Sequence, residues 1–288
     1  AESQARNLVR KLDKNNKDSL IIVSGCSRRR DRDVYEILFK ELSANNKYLA
    51  FNNLEQDIFS QISKHLNVDV LNNKTNIISS VFRTRAFVKI QDGCESFCSY
   101  CIVPFVRGKE KSKGQEQIID EINKLYSEGI KEIVLTGINI ASYKNGLENL
   151  LKMILKDTKM PRIRLSSLRP SKLSTELLEI MTEKRICPHL HISLQSGSDK
   201  ILRLMNRHDY SSADFKDSLE RYYLALKVRS LFVAADVIVG FPEEDINDFK
   251  RTYDVINDSP VNKLHVFVFS PRPGTKALEM KNTVDIIE

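Results

Sequence analysis

Three of the five cysteines in this 288-residue chain fall within eight residues, Cys94-Glu95-Ser96-Phe97-Cys98-Ser99-Tyr100-Cys101, a C-x3-C-x2-C loop. Three thiolates on one tight loop can each hold one iron of a cubane iron–sulfur cluster, leaving the fourth iron without a protein ligand. An iron left open in this way is a place for a substrate or cofactor to bind, by the logic that separates catalytic from structural metal sites. The competing chemistry is a Cys3His zinc site with His189 or His191 as fourth ligand. Zinc favours paired C-x2-C knuckles, however, and no partner pair exists here. The other two cysteines, Cys26 and Cys187, stand alone. An odd number with this bunching argues against a secreted disulfide framework and for a reducing compartment.

The elements that must position this loop can be read from the hydrophobic pattern. After residue 85, short β-branched runs alternate with amphipathic stretches. Strands are predicted at Phe87–Ile90, Glu132–Thr136, Ile163–Leu168, His189–Leu194, Asp236–Phe241 and His265–Phe269. Between them, helices are predicted at 115–128, 147–155, 174–183, 199–205, 211–227 and 247–257. In the first, Ile118, Ile119, Ile122 and Leu125 recur at three and four residues, one face of a helix. Six βα units in succession call for a parallel sheet curved into a full or partial barrel. Chemistry in such barrels sits at the C-terminal ends of strands, which singles out Thr136-Gly137, Ser167, Gln195-Ser196-Gly197 and Gly240-Phe241-Pro242. Residues 1–66 read as a smaller α/β unit: helix Ser3–Leu12, strand Leu20–Val23, helix Val34–Leu42, strand Tyr48–Phe51 and helix Asp57–His65. Two strands are too few for an independent sheet, so this unit reads as truncated. The polar stretch Asn67–Asn76 reads as a linker.

Composition sets outer limits. At 41% hydrophobic and 29% charged residues the chain can build a core and is not disordered. No apolar run reaches the roughly 18 residues of a membrane span. The net charge of +7 is compatible with a nucleic-acid partner without requiring one. Arg28-Arg29-Arg30 is the sharpest basic cluster.

The cysteine loop after a barrel strand, with Tyr100 before its last cysteine, resembles the signature of radical S-adenosylmethionine enzymes. The match extends to the methylthiotransferase family through a series of blocks in the family's order. These begin with Thr84-Arg85-Ala86-Phe87-Val88-Lys89-Ile90-Gln91-Asp92-Gly93-Cys94, Leu135-Thr136-Gly137-Ile138-Asn139 and Arg164-Leu165-Ser166-Ser167-Leu168. They continue with His191-Ile192-Ser193-Leu194-Gln195-Ser196-Gly197-Ser198, Met205-Asn206-Arg207, Asp236-Val237-Ile238-Val239-Gly240-Phe241-Pro242 and Ser270-Pro271-Arg272-Pro273-Gly274-Thr275.

The resemblance implies an α/β fold, a radical SAM partial (βα)6 TIM-like barrel over residues 80–288. A partial N-terminal methylthiotransferase domain over residues 1–75 would precede it, and the C-terminal TRAM domain would be missing. It implies a 4Fe-4S cluster on Cys94, Cys98 and Cys101. A second cluster would be held by the complete N-terminal domain, of whose ligands only Cys26 is present, so one cluster is expected here. It implies S-adenosylmethionine near Tyr100, Thr136, Gly137, Ser167, Gln195 and Gly240. The implied activity is transfer of a methylthio group to a modified adenosine beside the tRNA anticodon. Arg185-Ile186-Cys187-Pro188-His189-Leu190-His191 and Leu264-His265-Val266-Phe267 are similar to the branch acting on N6-threonylcarbamoyladenosine. The other branch modifies an aspartate of a ribosomal protein, and the reading outside enzymes is a zinc-stabilised RNA-binding module. Implied partners are tRNA and an electron donor such as flavodoxin or ferredoxin, in the cytoplasm and without a membrane.

Several residues have plainer readings. Cys187, before Pro188, reads as packing, and His189, His191 and His265 as satisfied core histidines. Glycines 137 and 240 would let backbone approach a cofactor, or simply serve their turns. The chain departs from the family at Ser27-Arg28-Arg29-Arg30, at Glu243 where glycine is usual, and at Lys109-Glu110-Lys111-Ser112-Lys113, which is less arginine-rich.

Overall fold

The computed structural model describes residues 2–15, 19–24, 32–42, 46–51, 84–226 and 231–281. The chain forms two units, Ala1–Ile78 and Ser79–Glu288. In the first, helix α1 (Glu2–Asn15), strand β1 (Leu20–Ser24), helix α2 (Arg32–Glu41) and strand β2 (Lys47–Phe51) bury Val9, Ile21, Tyr35 and Leu38. The two strands pair in parallel from Leu20 with Lys47 to Ser24 with Phe51. Asn46 ties the strand start to α1, accepting from Ser19 N at 2.8 Å and donating to Asp13 Oδ1 at 2.8 Å. Cys26, the three arginines after it, the expected helix Asp57–His65 and the linker Asn67–Asn76 lie outside the described residues.

The second unit opens with β3 (Arg85–Lys89), the short strand β4 (Gln91–Asp92), helix α3 (Val103–Arg107) and β5 (Lys111–Ser112). There follow α4 (Gln115–Ser127), β6 (Glu132–Thr136), α5 (Leu147–Asp157), β7 (Arg162–Leu165), α6 (Thr175–Ile180) and β8 (His189–Gln195). The unit closes with α7 (Asp199–Leu204), α8 (Ser212–Leu226), β9 (Phe232–Val239), α9 (Ile246–Asn257) and β10 (Lys263–Val268). The main strands form two parallel three-stranded sheets, β3-β6-β7 and β8-β9-β10. They are stitched by isolated bridges, Ile163 with Ile186 and Leu168 with Ile192. At the second bridge, Leu168 N donates to His191 O at 2.8 Å and Ser193 N to Leu168 O at 2.9 Å. Six parallel strands in the order β3-β6-β7-β8-β9-β10 thus make the expected partial barrel, and among the described residues its two edges do not pair.

Each helix covers the sheet because its apolar residues share one face. In α5, Leu147, Leu150, Leu151 and Ile154 are buried; in α4, Ile118 and Ile122. These residues share one buried cluster with the outward residues of the strands, such as Leu190, Ile192 and Leu194 of β8 and Val233, Ala235 and Val237 of β9. Helix α9 begins in a reciprocal cap: Asp245 accepts from Asp248 N at 3.0 Å, and the Asp248 side chain accepts from Asp245 N at 3.2 Å.

The alternation also corrects one expectation. His189, His191 and Ser193 occupy the opposite face of β8 from its buried leucines and isoleucine, so these histidines point to the concave side of the barrel and not into the core. Strand β9 begins at Phe232, four residues before the predicted start, and ends at Val239 because Gly240 turns the backbone to φ +70°. Helix α6 stops at Ile180, three residues early, where the chain tightens into turns.

Candidate active site

The cysteine loop hangs from the end of β3 through a pair of devices. Gly93 adopts φ +76°, and a Cβ there would lie 2.1 Å from Lys109 O, so only glycine lets the two backbone segments meet. Next to it, Cys94 N donates to Gly108 O at 3.2 Å, and β4 pairs with β5 to close the base of the loop. The far side is anchored to the residues after α7. Ser99 N donates to Met205 O at 3.0 Å and Ser99 Oγ to Leu204 O at 2.8 Å. Asn206 Nδ2 donates to Phe97 O at 2.9 Å, while Phe97 holds φ +47°.

Cys94, Cys98 and Cys101 are all half-buried. Burial, with a smaller push from the neighbouring Cys98 and Cys94, moves the Cys101 thiol up to about 11. Three sulfurs this close repel one another once ionised, so the loop calls for a metal group to neutralise them. A cubane cluster with one cysteine on each of three irons suits a set of three thiolates on one loop.

Tyr100 is pinned beneath the loop. Its hydroxyl accepts from Arg207 Nη1 at 3.1 Å, and its ring meets Phe241 edge-on at 6.5 Å. Arg207 is only 4% exposed. It also donates through Nε to Tyr210 OH at 2.9 Å and through Nη2 to Ser193 O at 2.7 Å and Ser193 Oγ at 3.1 Å. Burial moves the Tyr210 hydroxyl up to about 12, with the guanidinium pulling the other way. The same positive charge draws the Cys101 thiol down against burial. Arg207 and Asn206 are residues that sequence reasoning quoted without a role. An arginine in the connection between two helices carries no pattern that separates it from a surface residue.

The remaining predicted positions ring the strand ends. Thr136 ends β6, Ser167 lies two residues beyond β7, and Gln195 closes β8 in the left-handed region at φ +69°, 8% exposed. The side chains of these three carry no hydrogen bond to another described residue, unlike Ser193, Ser196 and Ser198 beside them. Both glycines make close contacts within the chain. A Cβ at Gly137 would lie 2.8 Å from Gln91 O and 3.0 Å from its Oε1, so the space belongs to Gln91. Gly240 N donates to Glu244 Oε2 at 2.5 Å. Burial holds Glu244 above the ordinary carboxylate range, although the Gly240 and Phe241 amides pull it down. At the departure noted in the sequence, Glu243 takes the left-handed conformation, φ +66°, that a glycine would take freely.

The family model described as "Radical SAM superfamily" matches residues 88–256, and this defines the larger unit as a radical S-adenosylmethionine domain. The chain is 38% identical over 289 residues to the threonylcarbamoyladenosine tRNA methylthiotransferase MtaB of Chlamydia pneumoniae, covering 99% of this chain and 66% of that protein. It is 35% identical to the MtaB protein of Rickettsia prowazekii, covering 97% and 68%. To the tRNA-2-methylthio-N(6)-dimethylallyladenosine synthase of Thermodesulfovibrio yellowstonii it is 36% identical, covering 94% and 64%. The chain belongs to the radical S-adenosylmethionine methylthiotransferases and spans about two thirds of the length of these relatives. Among solved structures, the radical S-adenosylmethionine methyltransferase TsrM of Kitasatospora setae, with cobalamin and a [4Fe-4S] cluster bound, superposes with a TM-score of 0.57 at 17% identity. The match covers 67% of this chain and 38% of that one, and it shows the shared fold. No helix of the described residues is long and apolar enough to cross a membrane.

Proposed function

We propose that this chain carries the radical chemistry of a tRNA methylthiotransferase acting on N6-threonylcarbamoyladenosine beside the anticodon. The observation that carries the reading is the loop itself: three half-buried cysteines within eight residues at the strand-end rim. The names of two of the relatives above support the choice of base.

Cys94, Cys98 and Cys101 would hold three irons of a 4Fe-4S cluster, leaving the fourth for the amino and carboxylate groups of S-adenosylmethionine. When bound, the pair supplies one-electron cleavage of S-adenosylmethionine to methionine and a 5′-deoxyadenosyl radical. The chain's own part is to bind and orient. Tyr100, fixed by Arg207 and Phe241, sets the height of the loop above the barrel. Thr136, Ser167 and Gln195 present unengaged hydroxyl and amide groups suited to ribose and carboxylate. The backbone at Gly137 and Gly240 shapes the rim between them. Cys26 would serve the second cluster, the electron would come from a flavodoxin or ferredoxin, and Lys and Arg side chains would hold tRNA phosphates while the base is read unstacked.

The test is anaerobic reconstitution with iron and sulfide, followed by measurement of 5′-deoxyadenosine under dithionite. Cys94→Ala, Cys98→Ala or Cys101→Ala is expected to abolish it, since the loop holds no spare thiol. Product from the triple variant would overturn the cluster assignment. Stimulation by tRNA bearing the threonylcarbamoyl group, over tRNA lacking it, tests the base. Equal rates with both would reject the choice of substrate while leaving the radical chemistry in place.

A further inference from the structure

Away from the cysteine loop, three neighbouring strands converge on one point of the concave face. His191 of β8 and His265 of β10 both aim a ring nitrogen at the same oxygen of Asp236 on β9. Nε2 of His191 lies 2.7 Å from Oδ1 and Nδ1 of His265 lies 3.0 Å from it. The rings stand 5.0 Å apart at 76°, and the three ligand atoms fall within 4.8 Å of one another. The register explains the meeting: His265 is the direct partner of Asp236, and His191 reaches across from the strand on the other side. The strand alternation turns all three away from the helix layer. Each lies three or four residues before the end of its strand, roughly 10–13 Å below the rim that carries the cysteine loop.

Chemistry narrows what this cluster takes. Among the described residues, the ion-pair partners of Asp236 are these two histidines, with no lysine or arginine, so the carboxylate has no permanent cation. Two imidazoles and one carboxylate are the ligand set of divalent first-row metals, and when they occupy one face the other positions stay open. Metal bonds of about 2.1 Å place adjacent octahedral ligands about 3.0 Å apart, close to the two nitrogen–oxygen separations here of 2.7 and 3.0 Å. The side chains are 17–34% exposed, enough for an ion to enter from the concave side.

We infer that His191, Asp236 and His265 form a binding site for a divalent first-row transition-metal ion, separate from the iron–sulfur cluster, with its open positions facing the barrel interior. Those positions are available to water or to an oxygen or nitrogen donor of a molecule held in the barrel. The competing arrangement is a hydrogen-bonded triad in which both imidazoles donate to Asp236 and no ion binds.

The test uses the full chain with Cys94, Cys98 and Cys101 changed to Ala, stripped with chelator and titrated with Co2+ by calorimetry and visible absorption. One equivalent is expected to bind with d–d bands in the visible. His191→Gln and His265→Gln keep a donor toward Asp236 but remove the imidazole, and each is expected to weaken binding at least about 100-fold. Pulsed EPR of the same parent carrying one equivalent of Cu2+ needs no histidine variant and is expected to show two coordinated imidazole nitrogens. No uptake at millimolar cobalt, unchanged affinity in the double glutamine variant, or a copper signal without imidazole coupling would each establish the hydrogen-bonded triad and overturn the metal site.

Discussion

Replacing Arg207 with Met tests whether the cysteine loop is held from below by a buried cation. Arg207 makes four hydrogen bonds, to Tyr100, Tyr210 and twice to Ser193. Bonds to a charged group are worth about 1.5–3 kcal/mol each, but burying the guanidinium costs several kcal/mol, so their sum overstates its value. Arg207→Met refills the volume of the stem, leaves the Tyr100 hydroxyl without its donor and leaves Ser193 O with the longer 3.5 Å bond from Tyr210 OH. An orphaned acceptor costs about 1–3 kcal/mol, which sets the expected loss near about 2 kcal/mol. The chain has nine tyrosines and no tryptophan, so urea denaturation of the cluster-free protein is best followed by far-ultraviolet circular dichroism and tyrosine fluorescence. A second readout separates anchoring from charge. The reconstituted cluster in Arg207→Met is expected to have a more negative reduction potential, because a positive charge beside its thiolates is gone. Arg207→Lys keeps the charge without the fork, so it should lose stability while holding the potential. A loss below about 0.5 kcal/mol in Arg207→Met would refute the anchoring argument, and an unchanged potential would refute the electrostatic one.

Three further outcomes follow from the same geometry. Gly137→Ala drives a Cβ to 2.8 Å from Gln91 O, and Gln91 in turn holds Gly93 O at 2.8 Å; about 2 kcal/mol of stability should be lost, with fewer irons per chain after reconstitution. Glu243→Gly relieves a left-handed glutamate and should raise stability by about 0.5–1 kcal/mol, read as a shift in the urea midpoint at constant slope. Glu244 binds its proton more tightly folded than unfolded. Its contribution is therefore greatest below the unfolded value of about 4.5 and is lost as pH rises through the raised folded value. Glu244→Gln should remove this slope, and parallel melting curves for the two proteins between about pH 4 and 7 would contradict it.

The strands and the cysteine loop were legible because each leaves a local mark. Glu132–Thr136 reads as a strand from its own β-branched run, and three cysteines in eight residues announce a metal centre without any tertiary information. What was hidden depends on distant residues. Arg207 gains its role only because the chain brings Tyr100 and Ser193 to it from 107 and 14 residues away. Gly137 reads either as an opening for a cofactor or as a turn residue, and only the fold shows how close Gln91 comes to it. The histidines were read as core because they sit among leucines, yet the pleat of β8 sends alternate residues to opposite faces. The place of Cys26 lies beyond what the described residues cover.

The seam between the two half-barrels gives the cysteine loop a mechanical part to play. Between β7 and β8 the ladder is reduced to isolated bridges, so this is where the curved wall is thinnest. The loop leaves the first half, after β3, yet fastens to the second half through Ser99, Asn206 and Arg207. It acts as a buckle across the rim. A group gripped by Cys94, Cys98 and Cys101 would stiffen that buckle, and filling the site would then tighten the wall on which the rest of the rim is mounted.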